Sequence, residues 1–233
     1  MIYYDFHIHS CLSPCGDMDM TPNNIVNMAM LLGLNTIAVS DHNSIGNVRS
    51  CVEVGKACGV TVIPGMEVET AEEVHILTLF PSMDSSEEVY KEVYKSLPDI
   101  KNRPDIFGQQ VYMDHEDNIT GYEEKLLISP TTLSMNKLFD VVKSAGGLFI
   151  PAHVDRHSYS ILTNLGFIPD DMDIKHIEVS KNVEDLSAYL LSRPDLSDYF
   201  IFRNSDAHYL QDIAEKNSCI DCNNVSELFG GLK

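Results

Sequence analysis

The chain has 233 residues, with 35 Asp or Glu against 16 Lys or Arg and a formal charge of −19 at pH 7. An apolar content of 44% supports a packed core and excludes a disordered acidic tail. No apolar run approaches the roughly 20 residues of a membrane helix, and Met1-Ile2-Tyr3-Tyr4-Asp5 lacks the basic start of a secretion signal.

A cytoplasmic protein with no membrane partner is therefore expected. The acidic surface also argues against long duplex nucleic acid, because phosphate backbones are met by basic patches.

In chain order, residues 2–9 read as a strand. Thr21-Pro22 supplies an N-cap and a first-turn proline, opening a helix that stops near Gly33. Residues 35–40 form a short buried strand, and 44–58 a helix stopped by Gly59. Residues 60–67 and 74–80 are strand-like, and 86–97 helical. Residues 82–130 read as an insertion, in which 109–129 form a hairpin around the turn-rich Asp114-His115-Glu116-Asp117-Asn118. A helix over 134–145 ends at Gly146-Gly147, and strands follow at 148–152, 174–179 and 199–204. This alternation predicts a parallel α/β sheet closed into a small barrel, with residues 1–233 as one domain.

Six cysteines are present: Cys11, Cys15, Cys51, Cys58, Cys219 and Cys222. The pairs Cys11/Cys15 and Cys219/Cys222 could be combined into a zinc site, but neither stands in a zinc-ribbon or redox context, so reduced thiols are expected.

In βα proteins the working residues gather at the carboxyl ends of strands. The first strand ends in Asp5-Phe6-His7-Ile8-His9, and a period of two places Asp5, His7 and His9 on one face. Others end in Ser40-Asp41-His42, Gly65-Met66-Glu67, Pro151-Ala152-His153 and Ser205-Asp206-Ala207-His208, while His75 opens or lies within a fourth strand. A lone buried histidine is usually a core residue. Imidazoles and carboxylates arriving together from so many strand ends point to a polynuclear metal site. His115 reads as a solvated loop residue, His176 as structural, and His157 as either pocket wall or surface.

This ordered set, from Asp5 to His208, resembles the PHP (polymerase and histidinol phosphatase) domain, and within it the stand-alone phosphoesterases. The resemblance implies a distorted (β/α)7 TIM-like barrel with a β-hairpin insertion, carrying two or three divalent ions (Mn, Zn or Fe) on its rim. It implies a first ion held by His7, His9, Glu67 and Asp206, and a second by Glu67, His75 and His153. A third would be held by His42 and His208 with one ligand from the loop after His9. That loop departs from the family pattern and offers either Cys15 or Asp17. Asp41 would be a supporting partner or proton donor.

The implied activity is hydrolysis of a phosphate ester by a metal-activated hydroxide. The expected substrate is a small phosphomonoester, a nucleotide or a short oligonucleotide end. Arg156, three residues after His153, is expected to stabilise phosphate oxygens. Glu69 and Glu178 could support the ligands or face solvent. Residues 82–129 are the expected seat of specificity. Competing readings are a 5'-3' exonuclease acting on nucleic-acid ends, an amidohydrolase, and a non-catalytic metal-stabilised module. An amidohydrolase shares His-x-His and a late Asp, but does not need Asp41-His42 or His208.

Overall fold

The computed structural model describes residues 1–222 and 224–230. Strands β1 (Ile2–Ile8), β2 (Thr36–Val39) and β3 (Thr61–Glu69) pair in parallel, joined by helices α1 (Pro22–Leu31) and α2 (Val48–Cys58). Next come β4 (His75–Leu79), α3 (Met83–Ser96), α4 (Pro104–Phe107), the hairpin β5 (Val111–Met113) and β6 (Ile119–Tyr122), and α5 (Met135–Ser144). β7 (Leu148–Pro151), α6 (Ile161–Asn164), β8 (His176–Glu178), α7 (Leu186–Ser192) and β9 (Phe200–Phe202) follow, then β10 (Cys219–Ile220) and α8 (Ser226–Phe229).

A curled sheet in the order β10-β1-β2-β3-β4-β7 makes one side of a ring, and the parallel pair β8-β9 makes the other. The Val154 N–H donates to the Glu178 carbonyl at 2.9 Å, joining the end of β7 to β8. A parallel bridge between Ile8 and Ala207 closes the ring beside β1. This is the distorted TIM-like barrel that the sequence predicts, with one difference. β4 runs antiparallel to both β3 and β7. Only residues 70–74 separate β3 from β4, enough for a hairpin turn, whereas a parallel return needs a dozen or more. His75, at the start of β4, is thereby brought to the same rim as the ends of the parallel strands.

Tyr4, Phe6, Ala38, Ile63, Leu77, Leu79, Ile150 and Phe202 fill the barrel interior. Phe6 stacks on Tyr4 at 4.5 Å between centroids and meets Phe202 edge-on at 5.8 Å. A second, larger apolar layer, including Ile8, Ile37 and Val39, lies between strands and helices. Tyr4 and Phe6 thus belong to the inner layer and Ile8 to the outer one. The register of β1 against β2 shifts between Asp5 and Ile8. This irregularity reverses the phase of the strand, so a strict period of two does not run through it. His7 and His9 turn inward above Phe6. Asp5 falls on the other phase, where its carboxylate accepts the N–H groups of Ser205 and Ala214 at 3.1 and 2.9 Å.

Local signals set most boundaries. The Thr21 side chain accepts from the Asn24 N–H to cap α1, with Pro22 in the first turn. Gly59 ends α2 in the left-handed region, with φ 76°. α2 starts at Val48, later than the expected residue 44, because Asn47 is committed elsewhere. Its amide donates to Ser10 Oγ and the Val111 carbonyl at 3.0 Å each, and its oxygen accepts from the Met113 N–H at 2.9 Å. These bonds tie the insertion to the loop after β1. Asn43 adds a bond to the Leu127 carbonyl at 2.7 Å. Among the described residues no helix is long and apolar enough to cross a membrane.

Candidate metal centre

One buried carboxylate, Glu67, lies at the middle of the rim. Its Oε1 is 3.2 Å from His7 Nε2, 2.9 Å from His75 Nδ1 and 3.2 Å from His153 Nε2. Its Oε2 is 3.0 Å from His42 Nδ1 and 3.4 Å from His9 Nε2. Asp206 Oδ1 approaches His9 Nε2 at 3.0 Å and His7 Nε2 at 3.4 Å. Among the described residues, three groups could hold metal ions: His7, His9, Glu67 and Asp206; His42, Glu67 and His75; and His9, His42 and His208. Despite these approaches, His7 Nε2 and Glu67 Oε2 are buried without a hydrogen bond, as is His153 Nδ1 on the far side of that ring. Potential ligand atoms crowded this closely, some of them buried and unpaired, fit shared cations.

The electrostatics agree. Burial raises the cost of ionising Glu67, but His75, His7 and His42 outweigh it and hold the carboxyl well below its usual range. Burial likewise opposes ionisation of Asp206, and His7 and His9 reverse that and pull it down. Desolvation acts against protonation of His7, but Glu178, Glu67 and Asp206 raise its pKa well above the ordinary value. His9 goes the other way, pushed well down by burial and by His208 and His42.

The loop after β1 separates its two candidates. The charges of His42 and His208 both act on the Cys15 thiol. Burial alone would raise its pKa, yet these imidazoles bring it down to about 6. Asp17 is turned elsewhere: its carboxylate accepts the Asp19 N–H at 2.9 Å. Asp41 is wholly buried and is absent from the pocket lining. It accepts from the Ser10 N–H at 2.7 Å, Ser10 Oγ at 2.6 Å and Ser13 Oγ at 2.6 Å. Burial pushes the Asp41 carboxyl above its usual range, against the pull of these donors. Asp41 acts through Ser13, whose oxygen pairs with His9 Nδ1 at 3.0 Å.

Arg156 lies where the sequence places it, lining the pocket with Nη1 2.6 Å from Asp206 Oδ2. His157 is exposed and outside the lining, His115 faces solvent beside Glu53, and His176 packs against Phe200 and Phe202. Glu69 is buried 3.8 Å from His75 Nε2. The cysteine pairs stay apart, because Cys219 pairs with Tyr3 at the opposite end of β1 from Cys11 and Cys15. All six cysteines are free thiols.

Glu178, left open by sequence, supports two ligands. Its carboxylate pairs with His7 Nδ1 at 3.0–3.1 Å, accepts the His153 N–H at 3.0 Å and accepts Asn204 Nδ2 at 2.7 Å. Ser13 and Tyr159 were not foreseen. The Tyr159 ring stacks on His75, with centroids 4.7 Å apart. The pocket is lined by rim ligands together with Arg156, Ser158 and Tyr159, and residues 82–130 supply none of its lining. The insertion instead packs beside the rim, where Cys11, Val111 and Met113 form a small apolar cluster. Three non-glycine site residues have left-handed backbones: His153 (φ 32°), Tyr159 (φ 55°) and Asp206 (φ 53°). Such conformations persist where the surroundings over-determine them, and they gather at functional sites.

A family model of the PHP domain matches residues 5–156. A 5'-3' exoribonuclease of Haemophilus influenzae is 33% identical over 79 residues, a stretch that is 33% of this chain and 28% of the relative. Among solved structures, the lesion-specific endonuclease PfuEndoQ of Pyrococcus furiosus is similar with TM-score 0.69 and 19% identity, covering 98% of this chain and 55% of that one. Another Endonuclease Q structure, in complex with a 27-mer duplex bearing an abasic lesion, gives TM-score 0.66 and 21% identity, covering 90% and 50%. The chain therefore spans about half the length of these nucleases. An amidohydrolase from Chromobacterium violaceum gives TM-score 0.64 and 16% identity, covering 98% and 96%. Proteins described as metal-dependent phosphoesterases share the fold too.

Proposed function

This chain belongs to the PHP domain family, and from that premise we propose that it is a cytoplasmic metal-dependent phosphoesterase. Its substrate is a small phosphomonoester, a nucleotide or a short oligonucleotide end. The observation that carries this reading is the position of Glu67, one buried carboxylate with each oxygen shared among imidazoles from different strands. A carboxylate so placed is suited to bridge two ions.

His7, His9, Glu67 and Asp206 would hold one ion, and Glu67, His75 and His153 a second. His42, His208 and the Cys15 thiol would hold a third, with Asp17 left out. A thiolate in that set favours Zn or Fe over Mn. Divalent ions there would supply Lewis acidity towards the phosphoryl oxygens and lower the pKa of a bound water. The protein's own part is orientation. Glu178 fixes the His7 ring so that Nε2 faces the centre, and Asp41 does the same for His9 through Ser13. Arg156, anchored on Asp206, is placed at the pocket wall to meet phosphoryl oxygens.

The exoribonuclease relative favours a second reading, removal of nucleotides from a 5' end. The argument from net charge against duplex DNA weakens, since the Endonuclease Q fold takes a duplex at its active site. The test is a panel of phosphomonoesters, phosphodiesters, oligonucleotides and amides, run on protein loaded with Mn or Zn, beside elemental analysis. Ester hydrolysis with at least two ions bound per chain is expected. Activity on amides alone, or no activity on any ester by metal-loaded protein, overturns it.

A further inference from the structure

The phosphoesterase reading places a phosphoryl group but leaves the rest of the substrate without a seat. The pocket over the centre has a volume of about 120 Å³. That holds a phosphoryl group and leaves a nucleoside outside its mouth. One wall of the mouth is the loop after β7, through Arg156, Ser158 and Tyr159.

Tyr159 is unusual in three ways. Its ring lies nearly parallel to that of His75, at 4.7 Å and 20°. It is nonetheless 47% exposed, so one face covers the imidazole while the other stays open to solvent. Its backbone has φ 55°, a conformation seldom adopted by bulky residues. The loop is pinned on both sides of this strained residue. The Tyr159 carbonyl accepts the His75 N–H at 2.9 Å, and buried Ser160 caps α6 through the Thr163 N–H at 3.2 Å. A rigid aromatic face is thus held open at the edge of a phosphoryl-sized pocket. Aromatic side chains of this kind serve as sequence-tolerant platforms for bases, because every base has a π-face.

We propose that the outer face of Tyr159 is the base platform of this site, selecting phosphate esters that carry a nucleobase over esters of the bare sugar. The proposal rests on the phosphoesterase reading. Stacking on such a platform changes kcat/KM by about 5- to 150-fold. It discriminates weakly among the four bases, because no hydrogen-bond readout is involved.

The experiment compares kcat/KM for adenosine 5'-monophosphate with that for ribose 5-phosphate, in metal-loaded wild type, Tyr159→Ala, Tyr159→Phe and Tyr159→Trp. The quantity read is the nucleotide-to-sugar ratio, in which general losses of folding or metal loading cancel. The same comparison is made for diesters, with p-nitrophenyl thymidine 5'-phosphate against methyl p-nitrophenyl phosphate. Expected is a fall of about fivefold or more in the ratio for Tyr159→Ala, with the ratio kept by Phe and Trp. Hydrolysis of both members of a pair with an unchanged ratio in Tyr159→Ala overturns the platform and leaves the phosphoesterase reading standing. If wild type hydrolyses none of these esters, the platform falls, and the phosphoesterase reading falls with it where oligonucleotides are also left intact.

Discussion

Replacing Glu178 by Gln tests whether the centre depends on a residue that lines none of it. The Glu178 carboxylate is buried and receives three donors: the His7 ring, the His153 N–H and the Asn204 amide. Gln keeps the shape but offers one acceptor oxygen and one NH2 group. In either orientation the NH2 faces a donor, and a buried donor left without a partner costs about 1–3 kcal/mol. The His7 ring also loses the anion that keeps its proton on Nδ1 and its Nε2 lone pair facing the centre. Loss of such a supporting partner typically lowers metal affinity about 10- to 100-fold, or roughly 1.4–2.8 kcal/mol at 1.4 kcal/mol per factor of ten. Metal affinity is measured by competition with a chromophoric chelator, and folding by circular dichroism on the same sample. A folded Glu178→Gln protein whose affinity at every site lies within about twofold of wild type would refute the reasoning.

Three other outcomes are expected. In metal-free protein Cys15 should be alkylated with a midpoint near 6, against a usual thiol value of 9.0, as read by peptide mass mapping. Between those values the unfolded chain holds a proton that the folded one has released, so this thiol's contribution to stability is full above 9.0, grows with pH across the window and is lost below about 6; a midpoint near 9.0 would show that the pairing with His42 and His208 does not form. Arg156→Ala should lower kcat/KM on the best ester by about 100-fold with bound metal retained, and unchanged kinetics would remove Arg156 from the reaction. Phe6→Ala, at a fully buried position among Tyr4 and Phe202, should cost about 3–5 kcal/mol in chemical denaturation; a loss below about 1 kcal/mol would mean that the barrel interior collapses into the space.

The rim residues were legible because each stands at a strand end beside an apolar run, where local pattern and function coincide. Glu67, His42, His153 and Asp206 all arrive where that pattern puts them. Asp5 did not, because the register shift between Asp5 and Ile8 is set by pairing with β2 and leaves no mark in residue types. The reversed direction of β4 was readable in principle, since a link over residues 70–74 is too short for a parallel return. Ser13 and Tyr159 carry no signal of their own: a serine and a tyrosine in loops become functional only when the loop is folded against Asp41 or His75. The choice between Cys15 and Asp17 was beyond counting along the loop. What bears on it is spatial: Asp17 accepts the Asp19 N–H, and the Asp17 N–H donates to the His208 carbonyl at 2.9 Å.

The net charge of −19 takes on a different meaning once the carboxylates are located. Glu67 and Asp206 face the centre, Glu178 and Asp41 are buried behind it, and Asp5 and Asp17 secure the loops around it. Negative charge concentrated there would repel a phosphate if it stood alone. It instead holds five imidazoles around Glu67 in place, and a set of that composition is one that divalent cations neutralise. Among the described residues, Arg156 is the one cationic side chain other than histidine in the pocket lining, and it is already engaged by Asp206. On the proposed phosphoesterase reading, affinity for an anionic substrate depends on metal loading. Removing the ions should abolish phosphate binding as well as turnover, which separates this site from one built on a basic patch.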